Sequence, residues 1–312
     1  MALTAQETRR VIAATRQLPT IHPQERVEDF IGNILTLNQA QLAAYFPNPD
    51  PTSSLQTAVA ELTSERERLL RDECVVPDFA VYQDVHKTFH IAGLHTYLTT
   101  KGVPARLLGR LAHHRVIRTA LRRMGDGHNL EALAAAIMNA SCDYGEATRG
   151  SGDQGIDAIG WKQLVLIDPH FSHGDPSKFQ SLPGEKVFLF ASSKAFTDNK
   201  QARPKLLNPA HIRELVGGWV IQRSSVAKWQ SVGIRMLSPV QMILVTTYRL
   251  SEGAKAECRE LGIHVWGIPE LIYLTCSSAP DVVFDSVNGY AFSASAFNTW
   301  WKNRDVSRLM AV

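Results

Sequence analysis

The sequence predicts an α/β protein: one mixed β-sheet flanked by helices, preceded by a mainly α-helical N-terminal domain. Three observations carry this. Through about the first 125 residues apolar side chains recur at three- and four-residue intervals. From Asn129 onward, helical stretches alternate with short apolar runs of strand length. Between the two patterns stands Gly125-Asp126-Gly127, which ends one before the other begins. The expected domains are therefore 1–127 and 128–312.

ETRRVIAATRQL, ERVEDFIGNILTLNQAQLAAYF and SLQTAVAELTSERERLLRDE have helical periodicity, and FPNPDPTSS, rich in proline, separates the last two. Pro104 opens a further helix, ARLLGRLAHHRVIRTALRRM. In the second region Asn129 is placed to cap a helix whose apolar positions are Leu130, Leu133, Ile137 and Met138. CDYGEATRGSGDQGIDAIG then reads as a hairpin with a glycine-rich tip, and KVFLFASSK as a buried strand. Asn208 and Pro209 open a helix with Ile212, Leu215, Val216, Trp219 and Val220 on one face. QMILVTT is a second buried strand, Ser251 caps SEGAKAECREL, GIHVWG is a third strand and IPELIYL a closing helix. The aromatic-rich tail after Pro280 contains Trp300 and Trp301, expected to pack rather than to stack on bases.

Composition narrows the function classes. With 312 residues, 45% of them apolar, the chain can bury one large core or two modest ones. The 33 Lys and Arg against 30 Asp and Glu exclude a histone-like polycation and an acidic disordered chain. LEALAAAIMNASC is too short to cross a bilayer, and MALTAQETRR is charged where a signal peptide is apolar. Cys74, Cys142, Cys258 and Cys276 form no CxxC pair and fit free thiols in a reducing cytoplasm. The expectation is a cytoplasmic protein with no membrane partner.

One pair of residues suggests chemistry. Cleaving a phosphodiester requires a divalent cation to offset developing charge, and hard cations such as Mg²⁺ take carboxylate and carbonyl oxygens. A nearby lysine orients the attacking water and stabilises the transition state. Asp157, leaving the hairpin in GIDAIG, and Lys194, ending the strand FASSK, have the right types at neighbouring elements. Strand alternation puts Phe190, Ser192 and Lys194 on one face, and sets Asp157 on the face opposite Ile156.

The surrounding sequence, NLEALAAAIMNASCDYGEATRGSGDQGIDAIG followed by HIRELVGGWV and QMILVTTYRLSEGAKAECRELGIHVWGIPEL, resembles the Mrr-like branch of the PD-(D/E)XK nuclease superfamily over about residues 129–275. The resemblance implies a restriction-endonuclease-like fold. It makes Asp157 the central metal-binding carboxylate, Lys194 the catalytic lysine and Glu131 the acid on the first helix that helps hold the metal. Two departures stand out. Ser192 occupies the position where the family has Glu or Gln, and cannot supply a second carboxylate. Related enzymes with Ser-x-Lys recruit a Glu from the following helix; here that residue is Glu214, although it lies far round the helix from the apolar stripe. The 37-residue step from Asp157 to Lys194 is also long, and holds Asp168, His170, His173 and Asp175 in what reads as a polar loop.

The resemblance implies a bacterial, Mg²⁺-dependent, sequence-specific double-strand DNA endonuclease of type II, leaving 5′-phosphate ends. A homodimer would match a palindromic site. A modification-dependent Mrr-like nuclease and a DNA-binding module with a decayed site are the alternatives. Between Lys87 and Met124 the chain has eight Lys or Arg, four His and no acid. In the helix after Pro104, Arg106, Arg110, Arg115, Arg118 and Arg122 are therefore the expected DNA contacts, mostly to phosphate. A solvated helix face would have the same composition.

Overall fold

The computed structural model describes residues 3–47, 53–71, 75–124, 127–148, 155–163, 166–167, 181–182, 186–194, 206–224, 234 and 238–302. The chain divides into two compact units, Met1–Arg115 and Val116–Val312. The division falls within a helix upstream of Gly125-Asp126, and those two residues lie outside the described ones.

The first unit holds helices α1 (Ala5–Thr15), α2 (Val27–Leu35), α3 (Gln39–Tyr45) and α4 (Ser53–Arg71). Thr4 and Glu7 form a reciprocal capping box that starts α1. Val11, Phe30, Ile31, Leu62, Phe79 and Ile91 share one apolar core. A helical reading of this unit is incomplete, because it also contains a small antiparallel sheet. Strands β2 (Phe79–Gln83) and β3 (Phe89–Gly93) form a hairpin, and β1 (Glu25–Arg26) pairs with β3 on its other edge. Asp84 closes the hairpin turn by accepting the His86 and Thr88 N–H groups, with Lys87 at φ 62°.

Helices α5 (Leu94–Thr100), α6 (Ala105–Leu111) and α7 (His114–Arg122) follow. The single helix expected after Pro104 is two, broken at Ala112-His113, so its arginines do not lie along one continuous helix. Arg110 and His114 are buried, at 1% and 2% exposure. For His114 the physical reason is Asp78, itself 9% exposed, whose carboxylate accepts a hydrogen bond from His114 Nε2 at 2.7 Å and another from Arg115. These side chains are used to stabilise a buried carboxylate.

Burial alone would push the Asp78 carboxyl up, but the hydrogen bonds from His114 and Arg115 outweigh it and hold it below the ordinary aspartate value. A depressed carboxyl contributes stability above the unfolded-state pKa, about 3.9, and loses it as pH falls through the lower folded value. Urea melts of wild type and Asp78→Asn are expected to differ at neutral pH and to converge below about pH 4. A gap that persists unchanged into acid would contradict this.

The second unit follows the order read from the sequence. Helix α8 (Gly127–Ser141) leads into the hairpin β4 (Tyr144–Ala147) and β5 (Ala158–Gln163). A short pair, β6 (Leu166–Ile167) with β7 (Ser181–Leu182), precedes β8 (Lys186–Lys194). Then come β9 (Leu206–Leu207), α9 (Pro209–Ser224), β10 (Val240–Thr246), β11 (Arg249–Leu250), α10 (Glu252–Glu260), β12 (His264–Trp266) and α11 (Ile268–Ser278). The main sheet has strand order β12-β10-β8-β5-β4; β12, β10 and β8 are parallel, and β5 and β4 antiparallel. Helix α8 starts at Gly127, two residues before the expected cap. Asn129 instead donates its side-chain amide to the Met124 carbonyl.

Helix α8 covers one face of the sheet, and α9 with α10 cover the other through Leu207, Ile212, Leu215, Leu244, Ala254 and Cys258. Seven of its residues, from Leu130 to Met138, are buried, because it also contacts α11 and the tail. Its approach to the hairpin is close: a Cβ on Gly145 would stand 2.3 Å from the Asn139 amide nitrogen, and one on Gly160 2.9 Å from the Tyr144 carbonyl oxygen. The tail forms its own small hairpin, β13 (Phe284–Asp285) with β14 (Ala291–Phe292), and helix α12 (Ala294–Lys302). Phe297 and Trp301 are buried, consistent with packing.

Candidate active site

The topology gathers three chain ends. Helix α8 turns directly into β4, β4 into β5, and β5 pairs antiparallel with β8. The end of β4, the start of β5 and the end of β8 therefore share one end of the sheet. Asp157 and Lys194 both stand there.

Asp157 is set by the turn before β5. Gly155 takes φ 91°, a conformation that favours glycine, and Ile156 anchors the turn among Ile159, Phe188 and Phe190. The Asp157 N–H donates to the Ala191 carbonyl at 2.8 Å, although Ala191 is the register partner of Ala158. Two residues of the hairpin thus oppose one of β8, as in a β-bulge, and strict alternation fails at this point. Ile156 points into the core, as the sequence reading expects, and joins the same cluster as Ile159.

The Asp157 carboxylate lies against the end of β8. Its Oδ2 accepts the Ser193 N–H at 2.5 Å and the Ser192 hydroxyl at 3.3 Å. Ser192 and Ser193 are 4% and 8% exposed, so these bonds orient the carboxylate in a partly dry setting. Ser192, which lacks a carboxylate of its own, holds that of Asp157. Lys194 is the next residue but one and the last of β8.

Lys194 Nζ stands 4.0 Å from Glu214 Oε1, across from the second turn of α9. Glu214 is far from its helix's apolar stripe, yet its side chain reaches the strand end. Glu131 has its polar partner on its own helix, His128 Nδ1 at 3.1 Å, rather than Asp157 or Lys194.

Two neighbours were passed over in the sequence. Glu146 of β4 accepts the Tyr144 hydroxyl, and burial first, then that carboxylate, pushes the Tyr144 phenol well above its usual range. Thr246 ends β10 opposite Lys194. The only sequence signal for either was a polar residue inside a strand pattern.

Among the described residues, no three of His, Cys, Asp and Glu stand together as a metal cluster. The donor chemistry still fits Mg²⁺, which typically takes one or two carboxylates and completes its shell with water and phosphate oxygens. Asp157 is a pre-oriented carboxylate for that purpose and Glu214 a second within reach of the strand end. Asp153, Asp168, His170, His173 and Asp175 lie outside the described residues. Of the expected DNA contacts, Arg106, Arg115 and Arg122 are exposed, Arg118 is half-buried and Arg110 is in the interior; Arg115 also pairs with Asp78.

No protein-family model matches the chain, and no curated protein matches it. Among solved structures it aligns with the MspJI restriction endonuclease in complex with a 27-mer oligonucleotide, at TM-score 0.37 and 15% identity over 64% of this chain. It also aligns with the DNA modification-dependent restriction endonuclease AspBHI, at TM-score 0.35 and 13% identity over 84% of this chain and 77% of that one. The aligned part spans 40% of the MspJI chain. Likeness at this level is too loose to transfer residues or chemistry. What the fold and site define is a mixed α/β protein with an oriented carboxylate and a lysine at one end of its main sheet. Among the described residues no helix is long and apolar enough to cross a membrane.

Proposed function

We propose that the chain is a metal-dependent endonuclease that hydrolyses phosphodiester bonds of double-stranded DNA. The supporting observation is the Asp157 carboxylate, held on the Ser192 hydroxyl and the Ser193 N–H beside Lys194. Asp157 and Glu214 are the residues to hold the metal, with Glu131 on α8 the further acid that the sequence resemblance implies. Mg²⁺, when bound, supplies charge neutralisation at the phosphate and lowers the pKa of water. Ser192 and Ser193 keep the carboxylate oriented, so no reorganisation is needed as charge develops. Lys194 offers its ammonium to the phosphate oxygens and orients the attacking water. Water adds to phosphorus in line, its proton leaves to solvent or a nearby base, the bond to the 3′ oxygen breaks, and that oxygen takes up a proton from solvent. The products carry a 5′-phosphate and a 3′-hydroxyl.

The finer reading is a type II site-specific restriction enzyme in a bacterial cytoplasm, acting as a homodimer on a palindromic site. Incubation of the purified chain with methylated and unmethylated plasmids, in Mg²⁺ and in EDTA, tests both levels. Discrete fragments from unmethylated plasmid, in Mg²⁺ only, are expected. Cleavage confined to methylated plasmid supports the modification-dependent alternative. Absence of cleavage in either supports a DNA-binding module with a decayed site, a reading that the serine at position 192 favours.

The basic surface is narrower than the five arginines of the sequence reading. Arg115→Gln would also disturb Asp78, so the test uses Arg118→Gln with Arg122→Gln. The pair is expected to weaken DNA binding at all sequences and to reduce the slope of log affinity against log salt by about 1.8, at ~0.9 per phosphate contact. Gel shifts across a salt series read this, and an unchanged slope removes α7 from the interface.

A further inference from the structure

We propose that Thr246 is a positioning residue for Lys194; this rests on the nuclease reading of the strand end. Strand β8 is paired on its β5 side only as far as Ala191, opposite Ala158. Beyond that point its β5 side is held by the Asp157 carboxylate on Ser192 and Ser193. The other side is held by β10, which runs parallel with Thr246 opposite Lys194. The Thr246 hydroxyl donates to the Lys194 carbonyl at 2.9 Å and accepts the Tyr248 N–H at 3.0 Å.

Thr246 is 0% exposed, so its hydroxyl touches no substrate and acts only through the backbone it grips. The grip falls on the residue whose ammonium must meet a phosphate. Lysine carries its charge on a flexible four-carbon stem, and the backbone position is what the fold can fix. A misplacement of about 1 Å from a change remote from the chemistry can cost about a hundredfold in rate. The Tyr248 N–H, bonded to the same hydroxyl, ties the turn after β10 to the same point. Thr246 therefore couples the ends of two neighbouring strands at the site.

The test compares wild type with Thr246→Val, which keeps the shape and removes the hydroxyl, and Thr246→Ser, which restores it. Folding is checked by circular dichroism and melting. Kinetics are measured on cleaved plasmid, and metal affinity by Mn²⁺ titration. T246V is expected to stay folded and to lose about tenfold to a hundredfold in kcat. KM for DNA and Mn²⁺ affinity should stay within about twofold of wild type, because the lost contact serves Lys194 rather than Asp157. T246S is expected to recover most of the rate. If T246V melts below the assay temperature, Thr246→Ala is measured in the cold against T246S with the same criteria. The proposal is overturned if the hydroxyl-less variant keeps wild-type kcat, if T246S is equally slow, or if the loss lies in KM or in Mn²⁺ binding. A wild-type chain that cuts no DNA with either metal overturns the nuclease reading itself, and the positioning role with it; that result is distinct from wild-type cleavage with an indifferent Thr246.

Discussion

Asp157→Ala is expected to lower plasmid cleavage by about a thousandfold or more. A bound divalent ion is worth several kcal/mol of transition-state stabilisation, and each ~1.4 kcal/mol is a factor of ten. Among the described residues, Asp157 is the carboxylate whose orientation is fixed by both a backbone N–H and a hydroxyl from β8. On the proposed function, its removal would take away the metal's main anchor while leaving the strand pairing of β5 and β8 in place. DNA affinity, measured by gel shift without metal, should change by no more than a few-fold. Asp157→Asn is the sharper variant, since it keeps shape and a hydrogen-bond acceptor but loses the charge. Cleavage within tenfold of wild type by either variant would refute the assignment.

Gly145→Val is expected to be the most damaging single change to the second unit. Even a Cβ at this position would sit 2.3 Å from the Asn139 amide nitrogen and 2.6 Å from the Met138 carbonyl carbon. Both are backbone atoms of α8, so no flexible side chain can yield, and helix and hairpin must separate. Overpacking a well-filled core costs about 1–3 kcal/mol, and backbone contact puts this case at or above the upper end. At ~2–4 °C per kcal/mol for a domain of this size, a fall of about 10 °C in Tm is expected. Because the same hairpin carries Asp157, cleavage should fall even at temperatures where the variant remains folded. Calorimetry alongside the cleavage assay reads both, and a Tm within about 2 °C of wild type would show that α8 has room to move.

The second unit was legible because its elements alternate in type and each carries its own signal. KVFLFASSK and QMILVTT are apolar runs buried from both faces, and Ser251 caps its helix as read. The first unit was less so. FAVYQ and FHIAG are five residues each, set among helices, and their pairing depends on a turn closed by Asp84 rather than on a strong apolar pattern. The break between α6 and α7 was hidden for a different reason. A helical wheel cannot show that Asp78, 36 residues upstream of His114, accepts hydrogen bonds from that imidazole and from Arg115. In the candidate site, residue types were readable and contacts were not. The β-bulge at Asp157 and the reach of Glu214 to Lys194 depend on strand ends meeting in space.

The central claim is that Asp157 and Lys194 serve one metal-dependent site, with Asp157 as the metal's anchor. The most direct measurement is Mn²⁺ binding followed by electron paramagnetic resonance for wild type, Asp157→Ala and Lys194→Ala. The account predicts Mn²⁺ bound by wild type and by Lys194→Ala, and its loss in Asp157→Ala. Equal Mn²⁺ binding by wild type and Asp157→Ala would contradict it.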